Sequence, residues 1–392
     1  MTHRSLVHRF PGVRDGWARF DGPAGTQMVD VAIQAMSDWA ASGNNANTHG
    51  SFPGSAACDD LLERARATVG HLLGADPQGI CFGANMTTMT MAFTRAVGQT
   101  LEPGDRVVGT KLDHDANVSS WRIACEGAGA EHVLAPFDSA TGRLDMDALA
   151  AQIAGGRTRW VAITGASNLV GTMPDLPAAI ALAHAAGARV FVDAVHLAPH
   201  AQINITELGC DALATSPYKW YGPHAGVLYV EPSLLNSLPV AKVRPAEDEG
   251  PRRFETGTPN FEGIAAVEAA ARFLIEEGLE RVAADEADVF RPLLDGLLAI
   301  PGVHVWGAPN LEARTPTVGF TIDGYSTDEV AAALAVEKIA VWAGHSYALE
   351  AVDQLGLAET GGVVRAGVVR YIEPADVERL LRVVSHLAAH PG

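Results

Sequence analysis

From about residue 56 the chain alternates short, continuously apolar runs with longer stretches whose apolar residues recur at helical spacing, and few folds accommodate that alternation. In AACDDLLERARATVGHLLGA, Leu61, Leu62, Ala65, Val69 and Leu72 fall on one helical face. GICFGA reads as a strand, TMTMAFTRAVGQTL as a helix and RVVGTKL as a strand, with polar DHDANVSS as the loop after it. MDALAAQIA reads as a helix, RWVAITGAS as a strand, and LPAAIALAHAAGA as a helix ended by glycine. RVFVDAVHL, DALATSPYK and AGVLYVEP read as further strands. Strands apolar on both faces and separated by helices predict an α/β domain with a largely parallel sheet covered on both sides.

The remainder is organised differently. FEGIAAVEAAARFLIEEGLERVAADEADVFRPLLDGLLAI predicts one or two long helices, preceded by an exposed charged loop, AEDEGPRR. VHVWG, TPTVGFTI, AVWAG and VVRAGVVRYI then read as strands, with STDEVAAALAVEK and PADVERLLRVVSHLAAH as helices. The expected organisation of the 392 residues is a large domain over 26–270 and a small α+β domain over 271–392. Residues 1–25 are expected to associate with the small domain at the active-site entrance.

Charge limits the partners. Lys and Arg number 28 against 46 Asp and Glu, a formal charge of −18 that repels phosphate backbones and argues against nucleic-acid binding. A local pocket for one small anion stays compatible with it. The N-terminus has charges throughout and lacks the apolar stretch of a secretory signal, and uncharged 77–94 is too rich in Thr, Gly and Asn to read as a membrane span. Cys58, Cys81, Cys125 and Cys210 form no C-x-x-C pair and lack metal-ligand spacing. The expectation is a cytoplasmic protein with reduced, buried thiols, no metal and no membrane attachment.

Three motifs carry candidate chemistry. RVFVDAVH ends a buried strand in Asp193, at the end of a parallel strand where open α/β sheets bind ligands. TSPYKWYGPHAG places Lys219 in an aromatic, Gly- and Pro-rich turn, where burial would depress the amine pKa and favour Schiff-base chemistry. GANMTTMTMAF places Thr87 and Thr88 at a helix start, where backbone N–H groups and hydroxyls can hold a phosphate. A phosphate cradle, an aspartate and a lysine, in that order on successive strands, fit pyridoxal 5′-phosphate (PLP).

VDAVH (192–196), TSPYKWYGP (215–223) and FETGTPN (254–260) resemble the class V aminotransferase family of fold-type I PLP enzymes, in particular its cysteine desulfurase-like branch. The resemblance runs from RFDGPAG to VRAGVVRYIEPADVERLL and implies a mostly parallel seven-stranded sheet in the large domain, with the active site between the domains at a homodimer interface. It implies that Lys219 is the Schiff-base lysine and proton shuttle, that Asp193 pairs with the pyridine nitrogen, and that His114 stacks on the ring. Thr87, Thr88, Ser216 and Tyr218 are implied near the phosphate, and Thr258 is implied to reach the phosphate of the neighbouring subunit. Asn168 is implied beside cofactor and substrate, His196 against the ring hydroxyl, and Arg365 on the substrate carboxylate.

The pattern breaks in VWAGHSYALEAVDQLGL. Where the desulfurases carry a nucleophilic cysteine this chain has Tyr347, or Ser346 one residue away, and where they carry an arginine it has Trp342. A phenol cannot form a persulfide. The expected activity is a C–S lyase on a small or sulfur-bearing amino acid, without a protein persulfide and with Tyr347 as a general acid or a gate. An aminotransferase or an epimerase are the alternative reactions, and a scaffold that has lost activity the non-catalytic one.

Overall fold

The computed structural model of the protein describes residues 4–390. Its large sheet has seven strands: β1 (Ile80–Gly83), β2 (Asp105–Thr110), β3 (Glu131–Ala135), β4 (Arg157–Thr164), β5 (Arg189–Asp193), β6 (Ala212–Thr215) and β7 (Gly226–Val230). Their spatial order is β1-β7-β6-β5-β4-β2-β3. Every pairing is parallel except the two that β7 makes. The reason is visible in the burial. Val107, Trp160, Ala162, Phe191, Ala212 and Ala214 face one core; their strand neighbours Val108, Val161, Ile163, Val190, Val192 and Leu213 face the other. Both faces are covered, so the strands need apolar residues at every position.

The second core is aromatic. Phe93 lies edge-on to Trp121 and Trp160 and stacked on Phe191, with centroid separations of 6.0, 5.4 and 5.3 Å. These contacts seat the helix Met86–Gly98, and hence its N-terminus, on the sheet. At Gly226 a Cβ would lie 2.4 Å from the carbonyl carbon of Asn85, so only glycine lets β7 start beneath that helix N-terminus. The turn FETGTPN is tied to β1 by Glu255. Its carboxylate takes both Arg66 guanidinium nitrogens at 2.7 and 2.8 Å and the Phe82 amide at 2.8 Å. Both side chains of that ion pair are nearly fully buried, so losing either would leave an uncompensated charge worth about 3–5 kcal/mol.

The long helical stretch is two helices, Phe261–Glu277 and Leu279–Ala299, broken at Gly278, whose φ of 76° ends the first. The first packs on the helices Asp30–Ala41 and Pro53–Leu73, so the expected boundary at 270 falls inside an element seated on the large domain. Beyond it, β8 (Val303–Trp306), β9 (Thr317–Ile322), β10 (Trp342–Gly344) and β11 (Val363–Gly367) form an antiparallel sheet in the order β10-β11-β9-β8. The helices Thr327–Val336 and Pro374–Ala388 pack with it. The N-terminal segment meets this unit: Ala18–Arg19 pairs in parallel with Ile339–Ala340, and the Gly367 amide donates to the Phe20 carbonyl at 2.9 Å. Residues 1–3 and 391–392 of the expected segments lie outside the described residues.

The structure corrects three local readings. DHDANVSS is not a loop throughout, because the helix Ala116–Ala128 begins inside it. Its buried face mixes Ala116, Val118, Trp121 and Cys125 with Asn117 and Ser120, which are hydrogen-bonded to Asp113, Trp121 and the Ala116 carbonyl, so the polar residues mask the helical stripe in sequence. The strand read as VVRAGVVRYI stops at Gly367, and AVWAG is split between two short strands at Val341. The helix Asp30–Ala41 was not anticipated.

Candidate active site

The parallel strands converge at their C-terminal ends, and the candidate residues leave from there. Asp193 is the last residue of β5, in register with Thr164 on β4 and Ala214 on β6. Lys219 follows β6 in a tight turn, Pro217–Lys219. Trp220 and Tyr221, both fully buried, anchor that turn from below, and the Trp220 indole donates to Thr215 Oγ1 at 3.2 Å. A cleft opens here, lined by Thr87, His114, Asn168, Asp193, His196, Ser216, Tyr218 and Lys219. Met86, Thr164, Ala166 and Val195 complete its wall; sequence reading did not single them out, because each looks like ordinary strand-end or helix-start composition.

The charges in the cleft perturb one another. Lys219 is one of four lysines and the only buried one, with 6% of its surface exposed. Burial pulls its amine below the ordinary lysine range, the Arg365 guanidinium pulls it further, and Asp193 opposes both. Burial raises the Asp193 carboxyl, against the Val195 amide that donates to it at 2.9 Å and the attraction of Lys219. His114 is pushed down to about 3, by burial and then by Lys219 and Arg365, so its ring is neutral at physiological pH. Its Nδ1 accepts from the Ala116 amide at 3.0 Å, which leaves the ring proton on Nε2. Burial, with Lys219, His200 and Arg365, holds His196 neutral as well; its Nε2 is 3.0 Å from Thr317 Oγ1, and its buried Nδ1 has no partner. Asp113, next to His114 in sequence, is pushed up to about 8 by burial and is held by Thr110 and Asn117; the acidic DHDAN motif was its sequence signal.

Arg365, on β11, does not itself line the cleft but contacts Asn168, which does. Its Nη1 donates to the Asn168 carbonyl at 2.8 Å and its buried Nε is unpaired. Asn168 in turn donates through Nδ2 to the Ser346 carbonyl at 2.7 Å, leaving its buried Oδ1 free. Across the mouth, the Asp115 amide donates to the Tyr347 carbonyl at 2.7 Å, and the Tyr347 ring stacks on His114 at 5.4 Å and 22°. Ser346 and Tyr347 both have left-handed backbones, with φ of 50° and 58°. Two consecutive non-glycine residues of that kind cost about 1–3 kcal/mol each, and the contacts just named are what hold them there.

Not every expected residue joins this cleft. Thr88 gives its amide and hydroxyl to Asn85 Oδ1, at 2.8 and 2.9 Å, and faces a second cleft shared with His224 and Thr258. Thr258 itself contacts Asn47 at 3.5 Å and lies away from Lys219. Trp342 stands directly opposite Arg365 on β10 but is 53% exposed, at the rim.

The electrostatics predict how the amine answers to its neighbours. Removing the negative charge in Asp193→Asn should lower the Lys219 pKa, and removing the positive charge in Arg365→Ala should raise it. Trace acetylation of the cofactor-free protein against pH, quantified on the Lys219 peptide, reads both shifts; opposite signs would contradict the arrangement.

The Aminotransferase class-V family profile matches residues 19–380. The chain is 32% identical to the uncharacterized protein MT3887 of Mycobacterium tuberculosis (strain CDC 1551 / Oshkosh), over 96% of this chain and 97% of that protein. It is 33% identical to probable cysteine desulfurase 1 of Mycobacterium leprae, over 94% of this chain but only 62% of that protein, so it spans less than two thirds of that relative. The apo cysteine desulfurase of Thermococcus onnurineus NA1 superposes with a TM-score of 0.92 at 27% identity, covering 99% of both chains. With a profile matched over nearly its whole length and relatives of this kind, the chain belongs to the class-V aminotransferase family, in its cysteine desulfurase-like branch.

Proposed function

We propose that this PLP-dependent enzyme is a C–S lyase that cleaves a sulfur-bearing amino acid without a persulfide on the protein. The residues present fit the cofactor. The amides of Met86 and Thr87 make no hydrogen bond among the described residues and suit a phosphate, with Ser216 and Tyr218 alongside. Asp193 suits a protonated ring nitrogen, His114 a ring face, and the unpaired Nδ1 of His196 the ring hydroxyl. When bound, PLP supplies an electron sink for the bonds at the substrate Cα.

The chain's own groups then divide the work. Arg365, whose Nε is unpaired, binds the substrate α-carboxylate and orients the Cα–H bond. Lys219, its pKa lowered by burial, is the base that takes the Cα proton near neutral pH. The Cβ–S bond breaks with its electron pair leaving on sulfur, and the released thiolate is protonated by water. Net uptake of one water gives the thiol, a 2-oxo acid and ammonium. His114 stays neutral through the cycle and adds no competing charge.

The observation that carries this reading is the residue at the place of the sulfur acceptor. Tyr347 sits on the clasped loop beside His114, and no cysteine follows Cys210 in the chain. Cys58, Cys81, Cys125 and Cys210 are all buried and none lines the cleft. Burial raises the thiols of Cys81, of Cys125 to about 11 and of Cys210 to about 12, which suppresses the thiolate. Replacing all four cysteines by alanine should leave the folded protein releasing thiol, 2-oxo acid and ammonia from S-substituted cysteines at close to the wild-type rate. A single cysteine whose loss stops turnover in a folded, yellow protein would make it a persulfide desulfurase instead. Amine transfer to an oxo acid would make it an aminotransferase, and loss of optical activity an epimerase.

The working unit proposed is a homodimer with Thr258 reaching the partner's cofactor phosphate. Its position in a separate open cleft supports this, as do the exposed Val31, Ile33 and Phe52. Sedimentation equilibrium at micromolar protein should give twice the chain mass; a monomer with cofactor fully bound would remove the proposal.

A further inference from the structure

Three aromatic side chains that the proposed chemistry leaves unused lie on β10 and the loop after it, beside Arg365 and His114. Trp342 pairs in register with Arg365 across β10 and β11, so the two side chains leave the same face of the sheet. Tyr347 is 65% exposed although its ring lies stacked on His114. His345 stands edge-on to Tyr347 at 5.8 Å and 90°, and its Nδ1 accepts from the Tyr347 amide at 3.0 Å. Large aromatic rings left open to water beside a carboxylate-binding arginine mark a recognition surface. Hydrogen bonds pin the loop that carries Tyr347. Asn168 holds the Ser346 carbonyl, the Asp115 amide holds the Tyr347 carbonyl, and both residues keep left-handed backbones. A sulfur relay requires a loop that moves; a preorganised wall of rings suits binding.

We infer that the substrate is a cysteine thioether whose sulfur carries an aromatic or heteroaromatic group, which packs against Trp342 and Tyr347. The inference rests on the proposed function, with Arg365 on the carboxylate. A flat substituent beyond the sulfur gains ring-on-ring contact with this wall, while a bare thiol reaches none of it. Trp342 and Tyr347 are therefore specificity-determining residues, distinct from those that move protons.

Two probes without an amine test this apart from turnover. 3-(Phenylthio)propanoate and 3-mercaptopropanoate share the carboxylate, the carbon chain and the sulfur, and neither can react as an amino acid. Calorimetric titration of the holoenzyme should show the phenyl probe binding roughly tenfold more tightly. Trp342→Ala and Tyr347→Ala should each remove about threefold of that advantage, leave the mercapto probe unchanged and leave the sedimenting mass unchanged, while Trp342→Phe restores most of it. Equal affinities in the wild type, or alanine variants that keep the preference, would overturn the inference. So would a changed sedimenting mass, which would assign the rings to contact between copies of the chain. Arg365→Lys separates this result from the parent reading: it should weaken both probes alike. If it weakens neither while the ring preference persists, the carboxylate assignment fails, and with it this orientation of the substrate.

Discussion

A buried amine and a buried carboxyl share one cleft at the ends of adjacent strands, and most of the molecule serves to keep them there. Burying Lys219 disfavours its charged form; burying Asp193 disfavours its own. Each partly offsets the other, and Arg365 adds a third charge that tilts the balance against the ammonium. Such an arrangement persists only on a rigid frame. The sheet provides it by being apolar on both faces, the aromatic cluster around Phe93 seats the helix that starts at Met86, and the Arg66–Glu255 pair ties the FETGTPN turn to β1. The perturbed pKa values and the stiffness of the frame are one fact seen at two scales.

The second domain closes the site from the other side. β11 brings Arg365 into contact with the Asn168 carbonyl, and the loop after β10 is held by Asn168 and by the Asp115 amide. Asn168 therefore links Arg365 to the loop carrying Ser346 and Tyr347, accepting through its backbone carbonyl and donating through its side chain. A change at any one of the three positions would be felt at the others, because the contacts run in series. These bonds tie the loop to Asn168, which lines the cleft, and to Asp115, next to His114 in sequence.

Much of this was legible in the sequence, for physical reasons that differ by residue. The sheet announced itself because strands buried on both faces must be apolar throughout. Lys219 and Asp193 stood out because charged residues at apolar strand ends are expensive unless they have partners or work to do. The start of the helix Ala116–Ala128 stayed hidden because buried Asn117 and Ser120, hydrogen-bonded to Asp113, Trp121 and the Ala116 carbonyl, interrupt its apolar face of Val118, Trp121 and Cys125. The separation of Thr87 from Thr88 was also invisible. Both begin the same helix, but adjacent helical residues point about 100° apart, and Asn85 captures only the second. The clasp over Tyr347 depends on backbone carbonyls meeting groups more than a hundred residues away, information that no local pattern carries.

The central claim is that Lys219 is the residue to which the cofactor is attached. The chain has only four lysines, Lys111, Lys219, Lys242 and Lys338, which makes the claim unusually direct to test. Borohydride reduction of the holoenzyme followed by peptide mass spectrometry should find the pyridoxyl group on the peptide containing Lys219 and on no other. A label on Lys111, Lys242 or Lys338, or a Lys219→Ala variant labelled as fully as the wild type, would contradict the account.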